Sequence, residues 1–300
     1  MKKLASVLDN SINYITKYGK SEIECRYVRR NNNYISVYLS SHNGCKMGCK
    51  FCWLTQNNQT DFKHVTIDEY NNQLCRVLSP HSQNSENKNT RINLNFMARG
   101  EPLSNKYLVN DYKKLYNKLN DTIINMNFSE LKMNVSTIMP HTINNMNLID
   151  IFRNDPVALY YSIYTHNDAK KQKIMPNAMN TLSALDKIKE FSENKDANPA
   201  NQVVFHGAFI ENFNDNLEEI KDMANIIKSY GFKKSKFNIV RYNPHKNNDL
   251  LNNEVNTEKL DQIFEILNNS VTNKVKYNKS RIINRVGYDV YASCGMFVDK

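Results

Sequence analysis

The sequence predicts an α/β fold, a partial (βα)6 barrel with short N- and C-terminal extensions, and three observations carry that expectation. Six runs rich in β-branched and aromatic residues alternate with helical patterns through the middle of the chain. Such alternation builds βαβ units with right-handed crossovers and a parallel sheet. A length of 300 residues suits one large domain, since barrel-like domains of about 200–250 residues are routine. The chain's most informative loop also follows directly on the first of these runs, where parallel α/β architectures carry their ligands.

The strand-like runs fall at residues 34–40, 92–97, 132–137, 159–164, 202–210 and 237–242. Helical patterns lie at 66–78, 106–119, 143–152, 179–191 and 217–230, with a further one at 258–267. Residues 79–90 are polar and unpatterned and read as a surface loop, and 274–277 read as a short strand before the tail. There is no internal repeat. The expected division is an extension over 1–30, a core over 31–270 and a C-terminal strand and tail over 271–300.

A net charge of +10 and a pI near 9.1 suit a polyanionic partner, although a lysine-rich surface can equally be solvated without one. Basic segments at 26–30, 170–173 and 233–236 are candidates for a phosphate backbone, or for solvated faces. The six cysteines, at 25, 45, 49, 52, 75 and 294, are too few and too uneven for a secreted disulfide framework, so a reducing, cytoplasmic location is expected. Asp9, Asn10 and Ser11 break the first apolar stretch and make a poor signal peptide. No run approaches the roughly 20 apolar residues of a membrane span, so no membrane partner is expected.

Cys45, Cys49 and Cys52 form Cys-x3-Cys-x2-Cys. Three thiolates can hold three irons of a four-iron cluster and leave the fourth open to a substrate. The alternative is a structural zinc site, which needs a fourth ligand such as His42 or Cys75. Beyond the later strands lie Gly100-Glu101-Pro102, whose carboxylate can accept hydrogen bonds from an ammonium group, then Ser136-Thr137, Ser162-Ile163-Tyr164 and Asn243-Pro244. Singly, each is strand-end punctuation; their serial order after the cysteine loop is the signal. Cys294 lies between small residues in a tail loop and has no evident packing role. A thiolate there is nucleophilic, the alternative being an inert buried thiol.

The cysteine spacing, with an aromatic residue just before the third cysteine, resembles the radical S-adenosylmethionine (SAM) superfamily. Ser40 to Cys45, Gly100 to Asn105, Ser136-Thr137, Ser162 to Asp168, Asn214-Asp215, Asn243-Pro244 and Gly287 to Gly295 together resemble the RlmN/Cfr radical SAM RNA methyltransferases. The likeness implies methylation of an adenine in RNA, rRNA or tRNA, by a protein with a 4Fe-4S cluster and SAM. It implies cluster ligation by Cys45, Cys49 and Cys52, and SAM held by Gly100, Glu101, Ser136, the Ser162-Ile163-Tyr164 segment and Asn243. It further implies Cys294 as the cysteine that is first S-methylated and Glu24 as a proton acceptor. A monomer supplied with electrons by a protein such as flavodoxin or ferredoxin is expected, acting on a base out of its stack, with a tyrosine or Trp53 stacking on it.

Two departures accompany the likeness. The family's second catalytic cysteine, seven residues before the first cluster ligand, is here Tyr38, which cannot form a disulfide. Cys25, beside Glu24, is the expected substitute, Cys75 lying in a predicted helix; failing both, the alternatives are a stalled enzyme, an external thiol or different chemistry. The family's N-terminal accessory domain, associated with RNA recognition, has no counterpart in these residues. Two alternatives follow: a relative acting on another substrate, or an RNA-binding paralogue without turnover.

Overall fold

The structure, a computed structural model, describes residues 1–84, 87, 90–245, 251, 253–276 and 279–298. Its strands form one sheet in chain order. β1 (Lys2–Ala5), β2 (Ile12–Tyr18) and β3 (Ser21–Asn31) are antiparallel, and β3 pairs antiparallel with β4 (Tyr34–Tyr38). From β4 onward every pairing is parallel, through β5 (Arg91–Phe96), β6 (Glu130–Thr137), β7 (Ala158–Ser162), β8 (Gln202–Gly207) and β9 (Ser235–Val240) to β10 (Arg281–Ile283). β1 and β10 end the order without pairing to each other, so the sheet curls but does not close. The expected partial barrel is therefore present, its six central strands being β4 to β9.

The crossovers carry α1 (Trp53–Gln56), α2 (Ile67–Ser82), α3 (Lys106–Asn110), α4 (Tyr112–Asn125), α5 (Leu148–Phe152), α6 (Asp168–Ile174), α7 (Thr181–Glu193), α8 (Leu217–Ser229) and α9 (Thr257–Asn268). Asparagine starts many of them. The side chains of Asn105, Asn167, Asn180, Asn216 and Asn256 accept from backbone N–H groups in the first turns of α3, α6, α7, α8 and α9, each cap contributing about 1 kcal/mol. Thr66 caps α2 by accepting from Glu69 N at 3.2 Å.

Parallel strands covered by helices on both faces read as continuous apolar runs, whereas here the strands alternate. On β5, Ile92, Leu94 and Phe96 are wholly buried in the main core, and Asn93 and Asn95 line an internal cavity. On β6, Met133 and Val135 face the core, whereas Asn134 and Ser136 face the cavity. Period-two alternation therefore puts an apolar face against the helices and a polar face in the lumen.

The sequence expectations differ from the structure at several elements. Residues 79–82, expected in a loop, continue α2 through Pro80 in its last turn; 85, 86, 88 and 89 lie outside the described residues. The helix expected over 106–119 is two, α3 and α4, broken at Asp111, and that over 143–152 shrinks to a single 3-10 turn and α5. The last strand is Arg281–Ile283, because residues 274–276 are not paired; Tyr277 lies outside the described residues. Residues 1–31 add three strands that no expectation placed, turning between β2 and β3 at Gly19 with φ +68°. No helix among the described residues is long and apolar enough to cross a membrane.

Candidate active site

Past the end of β4 the chain is bound on all sides before it reaches the cysteines. Ser40 N donates to Gln73 Oε1 at 2.9 Å, Ser41 N to Arg99 O at 2.7 Å and Cys45 N to Gln59 O at 3.0 Å. Asn177 Nδ2 donates to Met47 O at 3.2 Å, and Phe51 stacks on Tyr164 with ring centroids 4.4 Å apart, which fastens the loop to the end of β7. Burial pushes the Cys45, Cys49 and Cys52 thiols up, Cys52 to about 11, and for Cys45 and Cys49 their mutual proximity adds to it. Three crowded thiols disfavour ionisation together unless positive charge joins them, which suits a bound cationic centre.

His42 and Cys75 do not supply a fourth zinc ligand. His42 stacks on Phe62 at 3.8 Å and its Nε2 lies 3.2 Å from His64 Nδ1, while Cys75 sits on α2 beside Asn71. Among the described residues no three His, Cys, Asp or Glu side chains converge on a single ion. Three cysteines without a fourth protein ligand among the described residues suit a cluster that keeps one iron open.

The three cysteines open onto one cavity of about 280 Å³, also lined by Gly100, Glu101, Ser136, Ser162, Tyr164, Asn243 and Cys294. Gly100 has φ +93°, and a Cβ there would lie 2.5 Å from His42 Nδ1, so the backbone passes where no side chain fits. Glu101 accepts from Leu103 N at 3.0 Å and Ile138 N at 3.1 Å, yet burial raises its carboxyl to about 7. Ile163 is different: its side chain is buried in the core and its N donates to His206 O, leaving backbone alone to serve a ligand.

His206 was not singled out by its sequence, yet it joins two of the candidate residues. Its Nε2 lies 3.0 Å from Ser136 Oγ and 2.9 Å from Ser162 Oγ, and burial lowers the ring to about 4, so it is neutral. The signal available was its place on the polar face of β8.

The tail is built into the same site. Trp53 N donates to Gly295 O at 3.1 Å, Trp53 Nε1 to Asn243 O at 3.2 Å, and Asn243 Nδ2 to Cys294 O at 2.8 Å. Asn243 Oδ1 is buried without a partner and available to a ligand. Trp53, with His245 at 5.0 Å and Tyr291 at 6.0 Å on its edges, holds the tail. Cys294 faces the cavity and is open to it, and the surrounding protein raises its thiol while Arg26 opposes the rise.

Glu24 does not line the cavity. Fully buried, it accepts from Arg99 Nε at 2.9 Å and Nη2 at 2.6 Å, from Arg26 Nη2 at 3.1 Å, from Asn13 Nδ2 at 2.9 Å and from Val298 N at 3.1 Å. Burial alone would raise its carboxyl, but the two guanidiniums and Asn13 overcome that and hold it below the ordinary value. Arg26 Nη2 in turn donates to Met296 O at 2.7 Å. The geometry of Glu24 is that of a clamp on the tail and differs from a proton acceptor facing substrate.

Cys25 cannot replace the missing cysteine. On β3 Glu24 and Arg26 face the tail, so Cys25 faces the opposite side, 1% exposed in the core, with its thiol pushed up to about 12 by burial. Cys25→Ala should therefore leave the rate of any RNA modification unchanged. A covalent protein–RNA species accumulating on a denaturing gel with that variant would overturn this assignment. The basic segments also break up: Arg26 is paired to Glu24, Lys170 to Glu219 at 2.6 Å, and Lys171 is buried against Tyr161 OH at 2.9 Å.

No protein-family model matches the chain. It is 27% identical over 271 residues to the dual-specificity RNA methyltransferase RlmN of Nitratiruptor sp., covering 88% of this chain and 68% of that one. The chain is thus similar to proteins named as RlmN methyltransferases. The RlmN of Campylobacter jejuni (strain 81-176) is 24% identical, covering 94% of this chain and 72% of its own, and the probable RlmN of Clostridium botulinum (strain Loch Maree) is 27% identical, covering 98% and 78%. The fold matches a radical SAM methyltransferase from Sphaerobacter thermophilus with a TM-score of 0.71 at 15% identity, covering 99% of this chain and 80% of that one. SuiB of Streptococcus suis bound to S-adenosylmethionine matches with a TM-score of 0.53 at 12% identity, over 87% and 54% of the two chains. These solved structures agree with the expected fold.

Proposed function

We propose that this chain is a radical SAM methyltransferase that transfers a methyl group to an adenine of RNA through Cys294. The observation that carries the reading is the convergence of the cysteine loop, Glu101, Asn243 and Cys294 on one cavity. A four-iron cluster held by Cys45, Cys49 and Cys52 supplies, when bound, the electron that cleaves SAM to a 5′-deoxyadenosyl radical.

The chain's own residues do the positioning. Glu101 accepts from the ammonium of SAM, Gly100 admits the close backbone approach, and Ser136, Ser162, the Tyr164 backbone and Asn243 Oδ1 hold the remaining polar edges. Arg26 and Asn243 fix the backbone on both sides of Cys294 through Ser293, Cys294 and Met296. The thiol loses its proton on taking a methyl group, and the nearby Arg26 guanidinium favours the thiolate. The reducing cytoplasm, an electron-donor protein and a monomeric state belong to this proposal.

Anaerobic reconstitution should give about four irons per chain. Nucleoside mass spectrometry of RNA treated with enzyme, SAM and reductant should then show methylated adenine. One tightly held zinc with no iron would refute the reading.

SAM affinity should depend on pH through Glu101. An ammonium partner requires the carboxylate, whose value in the free protein is about 7, so binding weakens as pH falls below 7 and is accompanied by proton release. Glu101→Gln should lower affinity by roughly 10- to 100-fold, the 1.5–3 kcal/mol of a hydrogen bond to a charged group, and flatten the pH profile. Calorimetric titration at several pH values reads both; an unchanged profile in the variant would remove Glu101 from the SAM cradle.

A further inference from the structure

The cavity that gathers the candidate SAM residues is also lined by Arg30 and Arg281. Arg26, Arg99, Arg241 and Arg285 each have a carboxylate partner. Arg30 and Arg281 have none among the described residues: Arg30 Nη1 lies 3.4 Å from Tyr38 OH, and the Nε of each arginine is buried without an acceptor. Tyr160 lines the same cavity as both guanidiniums. Two half-buried positive charges without a carboxylate partner among the described residues favour an anionic ligand.

A second observation narrows the ligand. Asn134 and Asn238 also line the cavity, and each has a buried amide oxygen with no donor. Asn134 Nδ2 is already committed to Asn95 Oδ1 at 2.9 Å, so the free oxygen is the group left to meet a ligand. The space therefore asks for negative charge at one end and N–H donors beside it. A nucleotide with an exocyclic amino group offers both.

We propose that Arg30 and Arg281 form a phosphate subsite for the target nucleotide, with the amide oxygens of Asn134 and Asn238 facing its base. The proposal rests on the reading of the substrate as a polynucleotide. It assigns to the residues around Tyr38 a binding task that requires no thiol there.

The test compares AMP, adenosine and inorganic phosphate as ligands of the purified full chain, with and without reconstituted cluster. AMP should bind at least tenfold more tightly than adenosine, and rising salt should erode that difference while leaving adenosine binding alone. The double variant Arg30→Gln, Arg281→Gln should abolish the difference. The charge-preserving Arg30→Lys, Arg281→Lys variant should keep most of it, which separates lost charge from lost folding. Equal affinity for AMP and adenosine in the wild type, or a difference that survives the glutamine variant, would overturn the subsite. Failure of the methyltransferase reading shows separately, as missing iron or missing methylated nucleoside, and leaves the AMP comparison unaffected.

Discussion

Glu24→Ala will destabilise the protein by about 3–5 kcal/mol and release the tail that carries Cys294, because it strands two buried guanidiniums without their shared carboxylate. Urea unfolding reads the stability, and limited proteolysis after residue 287 reads the tail. Glu24→Gln keeps the shape and most of the hydrogen-bonding reach but leaves the charge uncompensated, so it should also lose stability at neutral pH. The sign with pH follows from the lowered carboxyl: its contribution is complete above the ordinary value of 4.5 and disappears as pH falls through the lower folded value. Wild type and the glutamine variant should therefore converge in acid. A wild-type-like midpoint for Glu24→Ala would show that the cluster does not hold the tail. A variant that folds normally, keeps its tail protected and still loses only turnover would restore Glu24 as a proton acceptor.

Cys294→Ala will abolish RNA methylation while leaving the iron content and SAM cleavage in place. The side chain faces the cavity, and the contacts that hold its backbone run through Asn243, Arg26 and Trp53, all intact in the variant. Intact-protein mass spectrometry of the wild type should find one methyl group on Cys294. RNA methylation that persists in the variant would dissociate this chain from a cysteine-borne methyl transfer.

Where chemistry depends on spacing within a short segment, the sequence was readable. The cysteine loop, Gly100-Glu101 and Asn243 were found that way, and they meet in one cavity. What escaped depends on strand parity and on distant partners. Cys25 looked available because it neighbours Glu24 in the chain, but neighbours on a strand face opposite ways. His206 was hidden inside an apolar run, Val203-Val204-Phe205, whose alternation with the lumen is set by pairing to β7 and β9. Lys171, in a run that reads as a basic patch, points inward to Tyr161 and the Met179 carbonyl at 2.7 Å, a destination fixed only by how α6 packs. The β2–β3 hairpin and its attachment to β4 escaped altogether, the N-terminal residues having been read only as a short extension.

The clamp has a temporal side. Arg26 and the Met296 carbonyl that it holds are separated by 270 residues, and Gly287 N reaches Asp9 Oδ2 at 2.7 Å across a similar span. During synthesis Glu24 and Arg26 on β3 emerge early, Arg99 follows after β5, and the tail that they hold is made last. Cys294 and the neighbours that complete the cavity wall are therefore the last of its lining to be made.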